Sequence, residues 1–229
     1  MICGMELLCK KSEESAKEYV RRVLVYNLVN MELKPGEKII EKELCDIFQM
    51  SRTPIREAIL ELNKNRLIDI RPKQGTYISL IHEDLVEEVR QLREVLEAEI
   101  VRTACEVCTN EDIDALRENV IVWKYYIEKK QERKIFELDK KFHAMLYAIC
   151  HKMYWYDIVQ AVSPHFDRTT VLSFRCQPQI HILQDHGQIV DAIENKDTEK
   201  AYCIARHHLQ RYHENIAAMK QTFPNYFEK

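Results

Sequence analysis

Glycine constrains this chain more than any other residue. Four glycines in 229 residues leave few points where the backbone turns freely through positive φ, so tight hairpins must be rare and long segments common. Apolar residues recur every three to four positions over most of the length, the pattern of amphipathic helices, and a mainly α fold is expected. Strands are expected only near residues 68–80. There "LIDIRPKQGTYISLI" sets β-branched and aromatic residues around a "PKQG" turn, a hairpin signal.

With 46% hydrophobic and 31% charged residues, the chain has material for a core and a solvated surface. No apolar run approaches the roughly 18 residues of a membrane span, and "MICGMELLCKKSEES" is unlike a secretory leader. A cytoplasmic location and no membrane partner are the expectation. The eight cysteines are scattered, which implies reduced, buried thiols. Cys105 and Cys108 form one close pair but lack the second pair of a structural zinc site.

The net charge of -3 is unevenly spread. Residues 1–80 hold 14 Lys and Arg against 12 Asp and Glu, leaving 20 against 25 for residues 81–229. Six bases (Arg52, Arg56, Lys64, Arg66, Arg71, Lys73) stand against three acids within residues 49–73. A small basic head on an acidic body is implied.

Helices are expected over about 13–30, 41–48 and 52–64, followed by the hairpin. Ser51 or Thr53 can cap the third, and Pro54 suits its first turn. The second and third are joined by "QM" alone, so they must cross steeply, a helix-turn-helix that the hairpin makes winged. Arg52 and Arg56 lie at the end of the recognition helix that enters a major groove. A hinge, "LIHED", leads to six further helices near 84–107, 110–130, 132–151, 154–176, 179–195 and 198–221. "TNED" can cap the second of these and Asp197 the last, while Pro164 should kink the fourth. The expected division is a DNA-binding domain at 1–80, a linker at 81–84, and a helical bundle of six or seven helices at 85–229, expected to carry effector binding, metal binding and dimerisation.

Three of the nine histidines fall on apolar helix faces. His143 shares its side with Phe136, Phe142 and Leu146, His186 with Leu183, Ile189 and Ile193, and His208 with Ala201, Ile204 and Tyr212. Asp139 lies one turn before His143. Each group can be a core residue with its own hydrogen-bond partner, or all four can share one divalent cation, which removes the cost of burying them unpaired. Such a set suits zinc first, or nickel, manganese or iron, rather than calcium or magnesium.

Two stretches carry a family resemblance. "LKPGEKIIEKELCDIFQMSRTPIREAILELNKNRLIDIRPKQGTYI" resembles the winged helix-turn-helix head of GntR-family regulators. "LREVLEAEIVRTA", "FELDKKFHAML" and "DHGQIVDAIENKDTEKAYCIARHHL" resemble the all-helical effector domain of that family's FadR-like, or FCD, branch. The resemblance implies metal ligation by Asp139, His143, His186 and His208. It also implies DNA contacts from Lys42, Ser51, Arg52, Thr53, Arg56, Gln74 and Gly75, and an effector-facing Arg93. Where family members carry glycine after the recognition helix and before the last helix, this chain has Asn65-Arg66 and Asn195-Lys196; each Asn is expected to take the left-handed cap.

A ligand-responsive DNA-binding regulator is the function these features imply. A small organic acid would complete the metal's shell and pair with Arg93. Single-helix readout is weak, so a homodimer on a near-palindromic operator is expected, with repression the family's commoner mode. Two alternatives use the same ligands: a purely structural metal, and a helical-bundle metalloenzyme activating water. The second lacks an acid placed as general base, and an enzyme has no use for a DNA-binding head.

Overall fold

The computed structural model describes residues 4–176 and 180–228; Cys3 and the expected helix start at residue 179 lie outside them. Ten helices and three short strands occupy the described residues, so the mainly α expectation holds. Contacts divide the chain into two units, one running through Glu83 and including the segment from Phe223 on, the other Asp84–Thr222.

The first unit is built from α1 (Ala16–Val29), β1 (Lys38–Ile39), α2 (Glu41–Phe48), α3 (Arg52–Lys64), β2 (Ile68–Arg71) and β3 (Gly75–Ile78). Ser15 starts α1 with a capping box, its hydroxyl accepting from the Glu18 amide at 3.2 Å while Glu18 accepts from the Ser15 amide at 2.9 Å. Gln49, at φ 51°, turns the chain between α2 and α3. Val20, Val23, Leu24 and Leu28 of α1 pack with Leu44, Ile55, Ile59, Leu62, Ile68 and Ile78 in one cluster, each full burial contributing about 1.5–3 kcal/mol.

The wing is a three-stranded antiparallel sheet ordered β1-β3-β2, with Ile68 opposite Ile78 and Lys38 opposite Tyr77. Strand β1 was not expected: two residues are too few to show an alternating pattern. The tail also differs from the division read in the sequence, which placed residues 85–229 in the helical domain. Ile81 forms a parallel bridge with Phe227, donating to the Tyr226 carbonyl at 2.8 Å and accepting from the Glu228 amide at 3.0 Å. Phe227 is 3% exposed, and that apolar anchor groups the tail with the first unit.

The second unit holds α4 (Glu83–Val107), α5 (Asn110–Glu128), α6 (Glu132–Ile149), α7 (Met153–Val162), α8 (Pro164–Cys176), α9 (Ile180–Glu194) and α10 (Thr198–Thr222). Thr109 and Asp112 form the expected capping box on α5, and Asp197 accepts from the Lys200 amide at the start of α10, 3.2 Å away. Pro164 does more than kink its helix. It ends α7 and becomes the first residue of α8, where its missing N–H is harmless. Ala98, Val101, Leu116, Phe142, Leu146, Ile189, Val190, Ile193 and Ala205 form the apolar core.

Two cap expectations are corrected. Asn65 keeps an ordinary φ of −85°, and the left-handed residues are Arg66 at φ 57° and Lys196 at φ 53°. Paired hydrogen bonds dictate this: Arg66 N–H donates to Asn63 and Leu67 N–H to Leu62, with Lys196 to Ile193 and Asp197 to Ala192 at the second site. That pattern requires the residue in glycine's usual place to be left-handed, whatever its side chain.

Candidate metal centre and nucleic-acid interface

The inward-facing histidines meet. Asp139 and His143 come from α6, His186 from α9 and His208 from α10; their relative exposures are 5%, 7%, 0% and 8%. One ligand atom from each lies within 4.8 Å of the others. Asp139 Oδ1 is 3.8 Å from His143 Nε2 and 3.7 Å from His186 Nε2, and His186 Nε2 is 3.3 Å from His208 Nε2. Bond lengths of about 2.1 Å to a shared ion separate ligand atoms by roughly 3–4 Å, so the spacing fits a divalent cation. His143 Nε2 is buried with no hydrogen-bond partner, a donor atom aimed at the cluster.

Aromatic rings hold His186. Phe142 stacks on it with centroids 4.1 Å apart, and Trp123 meets it edge-on at 4.6 Å. Burial, reinforced by His208 and His143, holds its pKa well below the ordinary histidine value. The neutral imidazole is the form that ligates metal.

Two carboxylates that the sequence reading missed stand behind the cluster. Glu97 of α4 places Oε2 2.9 Å from His143 Nδ1 and accepts from Arg93 Nε through Oε1 at 2.6 Å. Asp185 of α9 lies 3.6 Å from His208 Nδ1 and takes a two-pronged clamp from Arg211 at 2.6 and 2.9 Å. Burial alone would raise the Glu97 pKa, but Arg93 and His143 outweigh it and hold the carboxyl well below its usual range. For Asp185, burial is likewise outweighed, by Arg211 and His208, and the pKa falls to about 2. Glu97 follows Arg93 by one turn, a spacing equally common in solvated pairs, so the sequence alone did not single it out.

Arg93 lines a small, partly open pocket shared with Asp139, His208, Arg211, Thr169 and Asn215. Its guanidinium lies 4.9 Å over the Phe166 ring. Among the described residues its hydrogen bond is made through Nε, to Glu97, with Asp167 and Asp139 near enough to act on its charge, so the end of the fork makes no hydrogen bond within them. Helix α8 forms one wall. Ten of its 13 residues are buried, among them Asp167, Arg168, Thr169 and Ser173, a polar helix inside the bundle that no apolar periodicity announces.

The cysteines divide. Burial raises Cys108 to about 12 and Cys150 to about 11, protonated thiols as expected, whereas Cys9 and Cys203 are exposed, contrary to expectation.

In the first unit, Lys42, Ser51, Arg52, Thr53, Arg56 and Gln74 are exposed and Gly75 is half-buried. Ser51 is the N-cap of α3, yet its side chain makes no capping hydrogen bond. The hydroxyl is therefore not committed to the helix and is available to a phosphate. Arg52 Nε pairs loosely with Glu41 at 3.0 Å, and Glu61 is taken by Lys17 and Arg21. Gly75 has φ 128°, a backbone conformation that strains any residue with a Cβ and favours glycine at the wing turn.

Two family models match the chain: "Bacterial regulatory proteins, gntR family" over residues 16–78 and "FCD domain" over residues 88–211. The HTH-type transcriptional repressor RspR of Escherichia coli (strain K12) is 29% identical over 217 residues, covering 94% of this chain and 95% of that protein. The galactonate operon transcriptional repressor of the same organism is 26% identical over 199 residues, covering 76% and 85%. Among solved structures, E. coli McbR/YncC superposes with a TM-score of 0.77 at 22% identity, over 92% of this chain and 99% of that one, a likeness of fold. No helix among the described residues is long and apolar enough to cross a membrane. These relatives are transcription regulators rather than enzymes, and the chain itself belongs to the gntR family of bacterial regulatory proteins, in its FCD branch, as a DNA-binding transcription regulator.

Proposed function

We propose that this regulator senses a small organic acid beside a divalent cation in its helical unit and represses transcription as a homodimer on a near-palindromic operator. One observation carries the sensing: Asp139 and His208 of the four-residue cluster and the unfilled fork of Arg93 line the same pocket. Asp139, His143, His186 and His208 would hold the ion, zinc being the first choice for this ligand set. When bound, it supplies a Lewis-acidic position for a carboxylate oxygen. The chain's own groups do the rest. Arg93 orients the acid through paired N–H donors, Phe166 packs beneath the guanidinium, and Thr169 and Asn215 offer polar contacts to its remainder. A relative named for a galactonate operon, galactonate being a carboxylate, supports this class of effector.

On the DNA side, Arg52 and Arg56 would read base edges from the recognition helix, while Lys42, Ser51, Thr53 and Gln74 position phosphates and Gly75 admits close approach of the backbone. Their exposure supports the roles.

A thermal-shift series on zinc-loaded protein with a panel of carboxylic and hydroxycarboxylic acids tests the reading. We expect at least one acid to raise the melting temperature in wild type and not in Arg93→Lys, which keeps the charge but loses the fork. Stabilisation by zinc with no response to any acid would leave the metal purely structural. Equal zinc content in wild type and His186→Ala would remove the metal site from the proposal.

A further inference from the structure

A neutral imidazole carries its proton on either nitrogen, and only one tautomer offers a lone pair at Nε2. His143 and His186 turn Nε2 toward Asp139, and His208 turns its Nε2 toward that of His186, so ligation of a shared ion requires these atoms unprotonated. Two of them have a buried carboxylate on the opposite nitrogen. His143 Nδ1 lies 2.9 Å from Glu97 Oε2 and His208 Nδ1 lies 3.6 Å from Asp185 Oδ2, with Glu97 5% and Asp185 3% exposed. Neither carboxylate belongs to the four-residue cluster. Each is held from behind by an arginine, Arg93 on Glu97 and Arg211 on Asp185, which prevents it from swinging away.

We propose that Glu97 is a positioning residue that accepts the Nδ1 proton of His143 and so presents its Nε2 to the divalent cation, with Asp185 standing in the corresponding place behind His208 at the longer distance of 3.6 Å. This rests on the metal reading above. Glu97 is the stronger of the two because its contact is shorter. A carboxylate in this position also raises the basicity of the ligating nitrogen and restricts rotation of the ring.

The geometry singles out an informative substitution. In Glu97→Gln the amide oxygen stays on the donating Arg93, which leaves the amide N–H facing His143 Nδ1. It then donates where the carboxylate accepted, and the favoured tautomer of His143 reverses. Asp185→Asn gives no such clean reversal, because Arg211 donates to both Asp185 oxygens.

The experiment uses the full chain with Zn²⁺ alone as probe. Zinc affinity is measured by chelator competition, and imidazole ¹⁵N shifts of the metal-free protein report which nitrogen carries the proton. In wild type, His143 should be in the Nδ1–H form. Glu97→Gln should convert it toward Nε2–H and weaken zinc binding by roughly 10–100-fold. A Glu97→Gln variant that binds zinc within about twofold of wild type, or keeps the wild-type tautomer, overturns the proposal. Should Glu97→Gln not fold, the wild-type spectrum carries the test: a metal-free His143 in the Nε2–H form overturns the proposal. Failure of wild type itself to bind zinc would fell the metal reading and this inference together, whereas a zinc-binding wild type with an unaffected Glu97→Gln variant fells only the inference.

Discussion

The two units place charge oppositely. In the winged unit the candidate contact residues Lys42, Arg52 and Arg56 are exposed, and Arg52 meets Glu41 in a solvated pair. In the helical unit Arg90, Arg93, Glu94, Glu97, Asp139, Asp167, Arg168 and Asp185 are buried. A solvated ion pair contributes little to folding and gives way readily to a phosphate or a base edge. A buried pair has lost its water, so each member depends on the other. The same residue type is therefore a binding element in one unit and a structural commitment in the other.

Arg93→Ala should break this contrast hardest. It strands Glu97 and His143 without the cation behind them, and chemical denaturation should show a loss of about 3–5 kcal/mol. Arg56→Ala should leave the unfolding curve within about 0.5 kcal/mol of wild type but weaken operator binding by about 1–3 kcal/mol and change the preferred base at one position. A variant that unfolds the wing instead would erase the distinction.

Acid sharpens the comparison. The Asp185 pKa is lowered from 3.8 to about 2, so its stabilisation is complete above about pH 4 and is lost as pH falls through about 2. For metal-free protein this amounts to about 2 kcal/mol, measurable as the difference between wild type and Asp185→Asn in stability against pH from 5 to 2. The smallest effect concerns the backbone. Lys196→Gly should add up to about 1 kcal/mol, because glycine occupies the left-handed cap without strain; a loss of stability there would refute the cap argument.

Helix α3 was legible to the residue because its start carries Ser51, Arg52 and Pro54 and its inward face is regularly spaced. Strand β1 was invisible because two residues show no period. The helix through Pro164 was read as bent and is broken, since the sequence marks the obstacle but not whether packing will carry one axis past it. Asp139, His143, His186 and His208 stood out as polar groups on apolar stripes. Glu97 and Asp185 did not, because an acid one turn after an arginine, or beside a histidine, looks like any solvated charge until the opposing helices close over it.

By itself the sequence determined the helical class, the winged head with its basic recognition helix, and which polar side chains turn inward. These follow from local periodicity, capping and the scarcity of glycine, all properties of neighbouring residues. Only tertiary structure decided that α6, α9 and α10 bring their inward groups within ligand distance, that carboxylates from α4 and α9 face the outer nitrogens of two histidines, and that a polar α8 walls the pocket. Those are long-range coincidences of packing, and no local pattern encodes the distance between helices far apart in the chain.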